Sequence, residues 1–378
     1  MRTAIYLILF IFISYSEILA QRSNKSAVEK LSKSVFEETT LTGLKFRSIG
    51  PAQTSGRVSD FAINPNNFKE YYVAAASGGV WKTVNAGTTY IPVFDEAGSY
   101  SIGCITMDPN NANVIWVGTG ENNNQRSVSY GDGVYKSIDG GETWKNMGLK
   151  SSEHIGKILV DPNNSNIIYV AAIGPLWSSG GERGVYKSVN GGETWRLMLG
   201  IDADTGINDL IMDPRDSQVI YAAAYQRRRH VFTYLGGGPS SGLHKSVDGG
   251  TTWVDINKGL PEVDMGRIGM AMAPSDPEVI YAIVEASEGK GGFFMSTNRG
   301  ASWKKQGNYS TSGNYYQEIV VDPQDAQTVY AMNTWIQVSR DGVKTFKVLG
   351  ETTKHVDNHC MWIDPTDSEH FLVGCDGG

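Results

Sequence analysis

Four acids, Glu121, Glu182, Glu285 and Asp357, are the carboxyl groups that this chain offers for general acid–base chemistry. Cleavage of a glycosidic bond usually employs two carboxyl groups, about 5–5.5 Å apart for retention or about 6.5–9.5 Å apart for inversion. Five arginines, Arg57, Arg126, Arg183, Arg227 and Arg267, offer guanidinium forks suited to a carboxylate, sulfate or phosphate ligand. The alternative is that they pair with Glu121, Glu182 and Glu285 and brace the scaffold. Trp81, Trp177, Tyr315, Tyr316 and Trp335 suit either a sugar-stacking platform or packing between structural units. His355-Val-Asp357-Asn-His359 alternates in a way that invites a metal. On a straight strand its two histidines lie about 13 Å apart, at about 3.3 Å per residue. Zinc takes its nitrogens at about 2.0–2.1 Å. His355 and His359 are therefore read as ligand-contacting side chains, and neither metal nor cofactor is expected. No Ser–His–Asp order stands out, and Gly236-Gly-Gly-Pro239 is a loop rather than a phosphate-binding motif.

Two repeated phrases show what must position these residues. The first reads Ser137-Ile-Asp139-Gly-Gly141-Glu-Thr143-Trp144, Ser188-Val-Asn190-Gly-Gly192-Glu-Thr194-Trp195 and Ser246-Val-Asp248-Gly-Gly250-Thr-Thr252-Trp253, with looser copies at 83–90, 296–303 and 339–346. Successive copies start 43 to 58 residues apart, the signature of one supersecondary unit copied along the chain. Asp or Asn at the third position can accept backbone N–H bonds within a turn. Gly at the fifth can take a positive φ, and the closing aromatic offers a broad apolar face, so Trp144, Trp195 and Trp253 are expected to be largely buried. One carboxylate per copy is far short of the roughly six to eight oxygens that calcium takes. The box is structural.

The second phrase occurs as Asn64-Pro65, Asp108-Pro109, Asp161-Pro162, Asp213-Pro214, Ala273-Pro274, Asp322-Pro323 and Asp364-Pro365. Each copy lies between two apolar runs, which makes a strand–turn–strand hairpin. A third strand runs into each box and a fourth leaves it. Four antiparallel strands per unit, repeated around a ring, define an all-β, seven-bladed-type β-propeller. Seven hairpins against six boxes leave six complete blades and an incomplete seventh, to which 44–49 can add an outer strand. The box and the Asp-Pro turn share one rim, here called the bottom. The top rim carries the loops between strands two and three and the lead-ins to each first strand. Lead-ins bring Arg57, His154, Asn208, Arg267, Tyr315, Tyr316, His355 and Asp357. The loops bring Glu121, Arg126, Trp177, Glu182, Arg183, Arg227, Arg229, His230, Glu285 and Trp335. Function on a rigid scaffold favours such loops.

The chain starts with Met1-Arg2 and an apolar run from Ile5 to Ile13, followed by small and polar residues up to Ala20-Gln21. This pattern predicts a signal peptide over 1–20, a leader or linker over 21–43 and the propeller over 44–378, hence a secreted, periplasmic or cell-surface protein with no membrane span after cleavage. The net charge of −7 and the lack of a basic run argue against nucleic acid. Three cysteines do not make a disulfide framework. Cys360 and Cys375 fall on strands expected to pair, so they form either one bridge or two free thiols.

The box resembles the Asp-box, or BNR, repeat of sialidases, xyloglucanase-type glycosidases and the sortilin N-terminal propeller. Longer phrases narrow the resemblance: Gly118-Thr-Gly-Glu-Asn122, Gln125-Arg-Ser-Val-Ser-Tyr130, Gly174-Pro-Leu-Trp177, Tyr225-Gln-Arg-Arg-Arg-His230 and His355-Val-Asp-Asn-His359. They are similar to a group of long secreted bacterial proteins of glycosyl-hydrolase-like or sortilin N-terminal-like type. The resemblance implies the propeller fold and a truncated chain that continues into further repeats, and no established catalytic residue carries over. Phe46-Arg-Ser-Ile-Gly-Pro51 departs from the Phe-Arg-Ile-Pro motif of sialidases. Two-propeller xyloglucanases place a catalytic Asp on each propeller, and this chain supplies one propeller. The expected function is binding of a glycan or peptide at the top face. The alternatives are a glycoside hydrolase using top-face carboxylates and a sortilin-like protein-binding scaffold.

Overall fold

Apolar residues alternate with polar ones along the runs before and after each Asp-Pro turn, and in the computed structural model these runs pair into antiparallel sheets. The structure describes residues 56–124 and 128–378. The expected signal peptide (1–20), the leader (21–43), the strand at 44–49 and Arg126 lie outside them. Six sheets are four-stranded, each ordered outward in chain order from its first strand. The first strands are Val58–Ile63, Ile102–Asp108, Ile155–Asp161, Thr205–Asp213, Met265–Met272 and Ile319–Val321. A two-stranded hairpin, Asn358–Asp364 with Asp367–Cys375, follows them. Along the chain, the first strands of neighbouring blades pack against one another, and the hairpin's first strand packs on Val58–Ile63. Cys360 Sγ donates to Val58 O at 3.5 Å across that seam.

This arrangement corrects the seven-bladed expectation. The described residues form six four-stranded blades, and the hairpin has no third strand among them. Blade 4 also carries a small arm, Arg228–Arg229 paired with Tyr234–Leu235, between its second and third strands.

The shared bottom rim follows from local chemistry. Asp108, Asp161, Asp213, Asp322 and Asp364 each accept the N–H two residues on, at 2.8–3.0 Å, a side-chain mimic of a backbone turn. In the box, Asp139 Oδ1 accepts from Ser137 Oγ at 2.7 Å and from Thr143 N at 2.9 Å. Asn190 and Asn298 make the same bonds through their amide oxygens. The box then joins the turn: Gly140 N donates to Asn113 O, Gly191 N to Asn166 O and Gly249 N to Gln218 O, at 2.9–3.0 Å.

The closing tryptophans pack less deeply than expected. Trp144, Trp195 and Trp253 are half-buried. Trp303 is buried. Trp144, Trp195 and Trp303 donate Nε1–H to main-chain carbonyls of the preceding blade, Val93, Met147 and Ile256, at 2.6–2.7 Å. Trp253 donates instead to Gly250 of its own box. All three cysteines are free and buried, so Cys360 and Cys375 form no bridge. No helix among the described residues is long and apolar enough to cross a membrane.

Candidate functional site

Each lead-in and each strand-two-to-three loop reaches the top rim, and there the candidate residues fall into three groups. The first lies on the seam between blade 1 and the hairpin. Arg57 pairs with Glu121 and, at 3.6 Å, with Asp376. Asp376 takes a 2.8 Å bond from His359 Nε2, and that bond holds its carboxyl below the usual range. The Tyr316 ring stacks on His359 with centroids 5.4 Å apart, and its hydroxyl donates to Asp357 Oδ1 at 2.6 Å. Asp357 sits at φ 64°, an uncommon conformation that Asp tolerates better than most residues. His355 is exposed and bonds its neighbour's carbonyl. The two histidines therefore face different surroundings. Among the described residues, no three His, Cys, Asp or Glu side chains converge as metal ligands.

The second group surrounds residues 313–316, the lead-in to blade 6. On one side, Glu285 Oε2 accepts from Arg267 N at 3.3 Å. A Cβ at Gly313 would stand 2.1 Å from that oxygen, so any larger residue here would have to displace the carboxylate. Burial pushes the Glu285 carboxyl up. On the other side, Tyr316 reaches Asp357. The lead-in thus places two half-buried carboxyls, Glu285 and Asp357, on its two flanks. Tyr315 and Trp335 stand exposed beside them, while Tyr316 is buried. Backbone strain collects at the same place, with Gln317 at φ 96° next to Tyr316.

The third group is the channel. Counting four residues back from each turn residue gives Asp60, Cys104, Lys157, Asp209, Gly269, Glu318 and Cys360. Asp60, Lys157, Asp209, Glu318 and Cys360 line one cavity of about 120 Å³, beneath Asn122. The strand register slips at Ser59, Gly156, Asn208 and His359. Such bulges re-aim side chains, and each of these residues lines the cavity beside its successor. Burial raises the carboxyl of Asp209, with Glu318 adding to the effect and Lys157 opposing it.

The described candidate arginines bond to the protein itself. Arg183 donates to the carbonyls of Ile173, Pro175, Ser178 and Gly180. Arg227 donates to Asn123 O and Gly174 O, at 2.9 and 3.2 Å, and burial lowers its pKa to about 9. Arg267 pairs with Glu318 at 2.8 Å. Arg229 holds Asn124 O at 2.8 Å, and His154 Nδ1 bonds Glu121 O at 2.9 Å. Together with a bond from Asn124 N to Asn314 O, these contacts draw the loop of blade 2 across the ring towards blades 4 and 6. Glu182 accepts from Ser151 N at 2.9 Å and stands apart from the other acids' contacts. Trp177 is exposed on blade 3.

Sequence reasoning named Trp177, Tyr315 and Trp335 and missed Tyr100, Tyr130 and Phe232 as exposed aromatics. Seven are exposed among the described residues, and six of them, Tyr100, Tyr130, Trp177, Phe232, Tyr315 and Trp335, lie on top-rim segments. Tyr90 closes a box. The channel charges and Asp376 were missed as well. Register relative to the turn residue was the signal for the channel ring.

No family model matches the chain. Over 265 residues, 69% of this chain, it is 26% identical to a xyloglucanase of Paenibacillus sp.. Over 303 residues, 71% of the chain, it is 26% identical to a xyloglucanase of Hypocrea jecorina (strain QM6a). The matches span 21% and 32% of those proteins, so the chain covers about a third or less of each. Among solved structures, the GH74 xyloglucanase from Xanthomonas campestris matches with a TM-score of 0.62 at 16% identity, over 88% of this chain and 52% of that one. YCF48 bound to D1 peptide matches with a TM-score of 0.56 at 13% identity, over 88% and 96%. At such identities these structures show the fold alone. The chain is a propeller similar to those of glycosyl hydrolases.

Proposed function

We propose that this propeller is an exported glycoside hydrolase unit that acts on a β-glucan of the xyloglucan kind laid across the top face. One observation carries the reading: the sequence match to xyloglucanases extends over about 70% of the chain. The clustering of exposed aromatics on the same rim supports it, because sugar rings pack their apolar faces on aromatic planes. The N-terminal apolar run supports export.

Glu285 and Asp357 are the pair we assign to the chemistry. Burial keeps Glu285 protonated above the ordinary glutamate range, as a proton donor to the leaving oxygen requires. Asp357 is its partner, aligned by the Tyr316 hydroxyl. Activity should therefore need Glu285 protonated, and it should fall as pH rises through the raised Glu285 value.

The test is release of reducing ends from xyloglucan by the full chain. Glu285→Gln and Asp357→Asn should each lower kcat by about 10²–10⁴-fold, with binding retained in a gel-retardation assay. Binding without hydrolysis by the unmodified chain would reduce the protein to a glycan-binding propeller. Full activity in both variants would remove the assigned pair.

A further inference from the structure

A groove of about 830 Å³ opens on the outer side of the ring, between the edge strand of blade 1 and the box of blade 2. The proposed hydrolysis does not use it. Blade 1 ends in an outer strand of two residues, Ile91–Pro92, where blade 2 has four, Lys145–Gly148. Val93, Tyr135 and the half-buried Trp144 line the groove. Val84 and Ile91 line it too, and they stand 61% and 58% exposed. Exposed apolar side chains gathered along a concave surface mark an interaction site.

The next junction of the ring shows which chemistry is missing here. Ile91 follows the closing aromatic of its box, as Lys145 does in blade 2. Lys145 Nζ donates to both oxygens of Glu193, in the box of blade 3, at 2.9 and 3.1 Å. Glu142 holds the position of Glu193 in the box of blade 2. It lines the groove together with Ile91, which has no charge to offer it. Asp95 and Glu96 line the groove as well. All three acids are exposed, and among the described residues none of their carboxylates has a hydrogen-bond or ion-pair partner. Lys82, the cation that lines the groove, is already held by Glu70 at 3.0 Å and by Gly140 O at 3.2 Å. The groove thus joins apolar walls to negative charge that the protein itself leaves unmatched.

We propose that this groove docks a segment of a partner protein that carries lysine or arginine beside apolar side chains. A basic side chain takes Glu142 as Lys145 takes Glu193, and an apolar one covers Ile91 and Trp144. Pro92 has no N–H, and Val93 N is spent on Val80 O at 2.9 Å. At these two positions the edge offers no donor to an added strand, so side chains hold the segment. Complementary charge selects the partner and speeds its arrival, and the apolar contact supplies affinity.

Fluorescence anisotropy of a labelled hexapeptide of alternating lysine and leucine tests the assignment. The controls carry glutamate in place of lysine, or serine in place of leucine. The lysine–leucine peptide should bind the full chain with a Kd below about 1 mM, and both controls about tenfold or more weakly. Glu142→Gln should raise that Kd about three- to fivefold, as for one exposed ion pair. Ile91→Lys should raise it further, because the new lysine pairs with Glu142 as Lys145 pairs with Glu193. Both positions are exposed, so neither variant threatens the fold. Glu193→Gln should leave binding unchanged. No binding by the unmodified chain overturns the proposal. Binding that survives in both groove variants is diffuse attraction to an acidic protein and overturns it as well. Self-association of the unmodified chain that Ile91→Lys abolishes would give the groove to a second copy, and the proposed partner would fall.

Discussion

At the scale of single residues, the repeated box shows how one acceptor oxygen organises a turn. Asp139, Asp248 and Asp341 accept both the hydroxyl and the N–H of the threonine four residues on. These bonds favour the ionised form and hold the carboxyls of Asp139 and Asp248 down at about 2, and Asp341 is lowered too. A carboxyl depressed by folding contributes stability above its unfolded value, and loses it as pH falls through its folded value. The window runs from about 4, the ordinary aspartate value, down to about 2. Asn85, Asn190 and Asn298 occupy the same position without titrating. The triple variant Asp139→Asn, Asp248→Asn, Asp341→Asn should therefore lose less Tm between pH 4 and pH 2 than the unmodified chain. Parallel melting curves across that interval would show that the box carboxylates are not coupled to acid unfolding.

At the scale of strands and blades, the box ends on an aromatic whose value depends on its depth. Trp303 is 5% exposed and bonds Ile256 O of the preceding blade at 2.7 Å. Trp253 is half-buried and caps only its own turn. Trp303→Ala should cost about 3–5 kcal/mol, the range for a large aromatic removed from a core, and Trp253→Ala clearly less. Denaturant unfolding of the two variants checks the order, and equal losses would refute the dependence on depth. The hairpins, boxes and rim polarity were legible in the sequence because each rests on local hydrogen bonding: Asp161 folds its own turn and Ser188 its own box. The roles of the top-rim arginines were not. Arg183 ends the loop of blade 3 and Arg227 opens that of blade 4, and one grips its own loop and the other a loop of blade 2, a choice made by the ring. Asn208 and Asp209 share a wall through a bulge, which an alternation rule assigns to opposite faces. Glu285 and Asp357 were legible as available acids, but only the lead-in of blade 6 puts them on its two flanks.

At the scale of the whole molecule, the ring is held by side chains that reach from one inner strand to the next. Asp60 takes Ile105 N, Thr106 donates to Ile158 O, Asp209 takes Met270 N, and Gln317 donates to Arg267 O. The hairpin joins this circuit through the bond from Cys360 to Val58 O, yet it is built differently from the blades. The second strand of blade 3, Asn164–Ala172, has ladder partners on both sides, and Ile168, Val170 and Ala172 are fully buried. The hairpin's second strand, Asp367–Cys375, is paired on one side among the described residues, and Phe371, Leu372 and Val373 are half-buried. Local opening costs least where few apolar contacts and one-sided ladders meet. Native-state hydrogen exchange should therefore find the amides of Asp367–Cys375 opening well before those of Asn164–Ala172. On the proposed reading, xyloglucan laid across blades 5 and 6 and the hairpin should slow that exchange through Asp357, whose carbonyl accepts Asp376 N at 3.0 Å. Equal protection of the two strands without ligand would mean that the seam at Val58 carries as much stability as a complete blade, and the ring would have to be treated as one cooperative unit.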